Sequence, residues 1–153
     1  MQIKSLLGFA TLLFHVGLWG QLETLKIDHF PYQSGAPQSY INTILQSNVG
    51  YMWFGTESGL AKFNGYTFTF YTHDPTNRNS LSSNKILSLC EDRTNGFLWI
   101  GLQNGALNQF DLKTGYILRF AIPQDETLIT NAFDINSIKL KQDGNLWIGT
   151  GES

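Results

Sequence analysis

One six-residue shape occurs three times: "GYMWFG" at 50–55, "GFLWIG" at 96–101 and "GNLWIG" at 144–149. Trp53, Trp99 and Trp147 therefore stand 46 and 48 residues apart. A repeat of this length means that each unit is one small piece of supersecondary structure. Such a unit leaves apolar faces that only neighbouring units can cover. The flanks repeat with the motif. "WFGTESGLAKFN" (53–64) aligns with "WIGLQNGALNQFD" (99–111) after one insertion. Upstream, "YINTILQSNVG", "NKILSLCEDRTNG" and "INSIKLKQDG" occupy one slot, and downstream "YTFTFY" and "YILRFAI" occupy another.

Each unit reads as strands. Apolar alternation over Ile41–Leu45, Lys85–Glu91 and Asn136–Lys141 predicts a first strand. A turn follows, clearest at Asp143-Gly144, where glycine tolerates the positive φ of a tight hairpin. Second strands are expected at Tyr51–Thr56, Phe97–Leu102 and Asn145–Thr150, and third strands at Leu60–Asn64 and Ala106–Asp111. Fourth strands are expected at Thr67–Tyr71 and Tyr116–Ile122. On the second strand Phe97, Trp99 and Gly101 face one way, and Leu98, Ile100 and Leu102 the other. Both faces are apolar, so both must be covered. A four-stranded antiparallel sheet stacked between two similar sheets meets that demand, and this is a β-propeller blade. The expected fold is therefore all-β, with blades of about 46–48 residues. Propellers close with roughly four to eight blades, and only about two and a half are present. An incomplete ring is expected, and with it an N-terminal fragment of a longer protein. Expressed alone, such a fragment is expected to melt with poor cooperativity and to aggregate through its open faces.

The boundaries expected are a signal peptide over 1–20 and a propeller fragment over 21–153. Within the fragment, blades span 39–80 and 81–130, with a partial blade at 131–153. Lys4 precedes the apolar run "LLGFATLLFHVGLWG", which has the length of a signal-peptide core and is short for a membrane span. Export follows from that reading. "LKIDHF" (25–30) looks like a lone strand ahead of the first unit.

Composition narrows the chemistry. Net charge is −2, and the ten Lys and Arg are scattered singly, so no nucleic-acid surface is expected. The single cysteine, Cys90, excludes an intramolecular disulfide and reads as a small buried hydrophobe within "KILSLCED". His29 and His73 lack partners at metal-ligand spacing, so no metal and no cofactor is expected. Glu57, Glu91, Asp92, Asp111 and Asp143 fall at turn positions that hairpin chemistry explains. No Ser-His-Asp or paired-carboxylate grouping is legible, so catalysis is not expected of this chain. The tryptophans read as core rather than as ligand contacts. Ligand-binding residues are not identified, although the turns Glu57-Ser58 and Gln103-Asn104 and the linker Asp74–Ser83 are where such contacts would lie.

With these residues in place, the chain resembles the two-component regulator propeller family. The family's repeat runs approximately N-x-(I/V)-x-x-(I/L)-x-E-D-x-x-G-x-L-W-I-G-T-x-x-G-L-x-x-(F/Y)-D. The second unit matches at Asn84, Ile86, Leu89, Glu91-Asp92, Gly96, Leu98–Gly101, Gly105 and Phe110-Asp111. The first keeps Trp53, Gly55-Thr56, Gly59-Leu60, Phe63 and Gly65, and the third Ile138, Asp143-Gly144 and Leu146–Thr150. "YTHDPTNRNSLSSNKI" (71–86) resembles the family's linker between blades. Leu102, Ala106 and Gln46-Ser47-Asn48 depart from the pattern.

The resemblance implies the periplasmic, ligand-sensing half of a hybrid histidine kinase that responds to oligosaccharides. It implies a full-length, dimeric parent with two propellers, a β-sandwich, one transmembrane helix and a cytoplasmic kinase at the inner membrane. The partners so implied are an oligosaccharide, the remaining blades and the downstream kinase. No phosphoacceptor or ATP-binding box occurs in these residues. The other readings are a protein-interaction scaffold or a propeller lyase or hydrolase, since fold alone does not fix function.

Overall fold

The computed structural model describes Ile27, residues 35–121 and residues 133–152. The leader, the "LKIDHF" segment apart from Ile27, and the boundary near residue 130 lie outside the described residues. Two four-stranded antiparallel sheets follow one another along the chain. The first holds β1 (Ile41–Gln46), β2 (Met52–Thr56), β3 (Gly59–Phe63) and β4 (Phe68–Tyr71). The second holds β5 (Ile86–Asp92), β6 (Phe97–Leu102), β7 (Ala106–Asp111) and β8 (Ile117–Ala121). A two-stranded sheet of β9 (Phe133–Leu140) and β10 (Leu146–Glu152) repeats the first half of the same unit. Strand order follows chain order in every sheet, which is the meander of a propeller blade. Among the described residues the sheets do not close into a ring, and the expected all-β propeller-blade architecture is what they form.

The main core lies between the first two blades. Leu98, Ile100 and Leu102 of β6, with Phe110 and Ile117, pack against Trp53 and Leu60 of the first blade. A smaller core joins Leu107 to Ile135 and Ile138 of β9, with Trp99 and Cys90 half-buried beside it. β6 thus sends its two faces to two different neighbours, as its doubly apolar pattern requires.

The glycine after each tryptophan has a specific cause. A Cβ on Gly55 would stand 2.6 Å from Ile86 Cγ2 of the next blade and 2.5 Å from Thr43 Cγ2 across its own sheet. On Gly101 it would stand 2.5 Å from Ile135 Cγ2 of the third blade. Real Cβ atoms do not come this close, so the next blade can seat only against glycine. Ile86 and Ile135 reach backwards because each first strand carries a register shift. It lies between Ile41 and Thr43, between Ile86 and Ser88, and opposite Gly149/Thr150 in the third unit. One extra residue reverses the side-chain phase. Ile86 therefore points to the previous blade, while Ser88 points forward and donates to the Ile135 carbonyl at 2.8 Å.

Candidate functional site

The strands place the turns at two ends of the stack. One end carries the turns after β2 and β6 and the linker from β4 to β5. These are the positions where sequence reasoning looks for ligand contacts, and their polar groups are largely used within the fold. Glu57 pairs with Lys85 at 3.5 Å, and the Asn104 N–H donates to Asp134 Oδ1 at 3.1 Å. Asn104 also adopts φ 61°, a left-handed conformation that asparagine tolerates.

The linker is pinned rather than loose. Arg119 of β8 donates from Nε to the Ser80 carbonyl and from Nη2 to the Asn77 carbonyl, at 2.8 and 2.9 Å. Asn79 Oδ1 accepts from the Ile117 N–H at 2.6 Å. Fully buried Asn108 of β7 accepts from the Ser82 N–H at 2.9 Å and donates to Ser82 Oγ at 2.8 Å. His73 Nδ1 lies 2.7 Å from the Leu81 carbonyl, so that nitrogen carries the proton and donates. Asp74 caps its own turn through Thr76, whose hydroxyl and N–H hold the carboxyl below its usual pKa.

The other end carries the turns after β1, β5 and β9, and here the molecule opens. A cleft of about 730 Å³ lies among the ends of these three first strands and the turns 93–95 and 141–144. Leu45, Leu89 and Ile138 contribute apolar lining, and Cys90 also lines it. Around them stand Gln46, Asn95 and Gln142 with three carboxylates and three cations: Glu91, Asp92, Asp143, Arg93, Lys139 and Lys141. Most of these charges are internally matched. Glu91 holds two oxygens against the Asn48 N–H of the first blade at 2.9 and 3.0 Å, and pairs with Arg93 Nε at 3.4 Å. Its side chain is only 6% exposed. Glu91 is thus a tie between blades, a role beyond the turn chemistry that sequence assigns to it. Asp92 caps the N–H groups of Thr94 and Asn95, and Lys141 pairs with Asp143 at 3.6 Å. Backbone N–H donation holds Asp143 below the usual carboxylate range through Asn145, and Asp111, the last residue of β7, through Thr114 and Lys113. Among the described residues no group of three or more His, Cys, Asp or Glu is placed to hold a metal ion.

The tryptophans behave as packing residues to the extent that they are covered. Trp53 is 1% exposed and meets Phe110 of the second blade edge-on at 5.3 Å. Trp99 is half-buried and Trp147 is 63% exposed. The indole N–H groups of Trp53 and Trp99 are buried without a hydrogen-bond partner, so neither ring is held by polar contacts.

Comparison with known proteins places this geometry. The model of the family described as two component regulator propeller matches residues 35–58 and 80–104. These stretches open the first and second blades. Over these residues the chain is similar to the two-component regulator propeller family. A curated relative, histidine kinase P4 of Formosa agariphila, is 36% identical over 77 residues, covering 48% of this chain and 6% of that protein. Among solved structures, the extracellular domain of BT3049, named as a hybrid two-component system of B. thetaiotaomicron, superposes with a TM-score of 0.65 at 26% identity. The match covers 79% of this chain and 17% of that one. The extracellular domain of BT4673 from the same organism gives 0.62 at 26% identity over 79% of this chain and 15% of that one. It is named as a one-component system in one structure and as a hybrid two-component system in another. The chain therefore spans under a fifth of the length of these relatives. Among its described residues, no helix is long and apolar enough to cross a membrane.

Proposed function

We propose that this chain is part of the exported, ligand-sensing propeller of a two-component sensor that responds to oligosaccharides. The observation that carries this reading is the superposition of its blades, across most of the chain, on extracellular domains named as belonging to hybrid two-component and one-component systems. In this reading the segment enters the periplasm behind a cleaved leader and does no chemistry itself. Binding biases the packing of neighbouring blades, and a kinase elsewhere in a dimeric parent reads that bias. The sharing of polar ties between blades, Glu91 with Asn48 and Ser88 with Ile135, supports such coupling. A ligand that spreads or tightens the first strands must move both contacts together. Calorimetric titration of the complete ectodomain against a panel of oligosaccharides tests the reading. Saturable binding to one saccharide class is expected, and no binding to any glycan overturns it.

A further inference from the structure

We propose that the cleft at the β1, β5 and β9 ends is the saccharide-binding site, and that it takes a neutral stretch of oligosaccharide; this rests on the sensor reading above. Three features carry the assignment. First, a volume of 730 Å³ falls within the roughly 300–1,000 Å³ of small-molecule sites and suits about two or three sugar units. Second, the lining combines aliphatic Leu45, Leu89 and Ile138 with amide side chains at Gln46, Asn95 and Gln142. Sugars present the same mixture, C–H faces edged by hydroxyls that both donate and accept. Third, the charges cancel. Three cations meet three carboxylates, and Arg93–Glu91 and Lys141–Asp143 are already paired. An anionic ligand would have Lys139 as its one cation outside these pairs and three carboxylates nearby, whereas a neutral one leaves the charge balance intact.

The walls are also pre-organised. Asp92 and Asp143 fix the turns that border the cleft by accepting from the N–H groups of Thr94, Asn95 and Asn145. Little ordering cost remains for a ligand to bear. The opposite end differs, since the backbone groups of its linker are already committed to Arg119 and Asn108. The cleft touches the first strands of all three units, so a bound saccharide contacts every blade described.

Cys90 lines the cleft and serves as a reporter at the site. The complete ectodomain is titrated with cellotriose, mannotriose, xylotriose and trigalacturonate, and alkylation of Cys90 by iodoacetamide is followed by peptide mass spectrometry. One neutral trisaccharide is expected to bind and to slow Cys90 alkylation several-fold. The exposed pair Gln46→Ala with Gln142→Ala should weaken that binding about tenfold, as expected for one or two lost hydrogen bonds. Arg78→Ala, in the linker at the far end, should leave it unchanged. Trisaccharide binding with Cys90 unprotected and the double variant unaffected overturns the site and spares the sensor reading. Preference for trigalacturonate overturns the neutral class. Failure of every glycan to bind overturns both.

Discussion

The interface between the first and second blades and that between the second and third are built from the same residues, yet only the first is complete. At the first, Trp53 lies under Phe110 and Tyr71, and its ring is sealed. At the second, Trp99 is covered by β9 and by Phe120 of its own blade, and stays half-buried. Trp147, with no blade described beyond it, is 63% exposed. The identical motif therefore contributes according to how much of the next sheet is present. The difference between the interfaces is the counterpart of Phe110 on a third strand. Burial of the inner strands is common to both, since Ile86 and Ile135 seat against Gly55 and Gly101 in the same way.

The largest test of this contrast is tryptophan truncation. Trp53→Ala should cost about 3–5 kcal/mol in urea unfolding, the usual range for removing a fully buried large aromatic ring. Trp99→Ala should cost less, and Trp147→Ala should stay within about 0.5 kcal/mol, as at exposed sites. Equal losses at the three positions would break the comparison. The glycines sharpen it next. Gly55→Ala and Gly101→Ala should each destabilise by about 1–3 kcal/mol, because the added methyl meets an isoleucine of the next blade that cannot withdraw. Gly149→Ala meets chiefly the Ser137 hydroxyl, a side chain free to rotate, and should be milder.

Polar ties between blades come third. Glu91→Gln should lose about 1–3 kcal/mol, since a buried charged acceptor is weakened opposite the Asn48 N–H. Removing the partly exposed Lys85–Glu57 pair should change stability by less than about 1 kcal/mol. Smallest is the pH effect of the turn aspartates. Backbone donation lowers Asp111 and Asp143 in the folded state. Their contribution is present above the unfolded carboxylate pKa and fades as pH falls through the lower folded value. Asp111→Asn should therefore flatten the acid limb of the stability profile while leaving neutral behaviour nearly unchanged.

Much of the blade was legible in the chain because period-2 alternation, turn glycines and the spaced tryptophans all point to one repeat. β6 and β7 begin and end where the pattern places them, and Phe97, Trp99 and Gly101 do share a face. The bulge in each first strand was not legible. Ile86 and Ser88 are two apart and by simple alternation would share a face, yet one extra residue sends them to opposite blades. Glu91 read as part of an acidic turn because sequence cannot reveal that Asn48, 43 residues earlier, presents its N–H to it. The linker read as a place open to ligand contacts because the partners that pin it, Arg119 and Asn108, lie in strands well downstream. The cleft was hidden for the same reason, since its walls come from three repeats and no single segment carries its signature.

Each repeat tryptophan, Trp53, Trp99 and Trp147, is covered only as far as the following blade is present. The most direct measurement is fluorine NMR of the chain labelled with 5-fluorotryptophan, each resonance assigned by a single Trp→Phe substitution. The shift between H2O and D2O reports solvent at each ring. Among the repeat tryptophans, almost no solvent shift is expected at Trp53, an intermediate one at Trp99 and the largest at Trp147. Equal shifts at Trp53 and Trp147 would contradict this ordering.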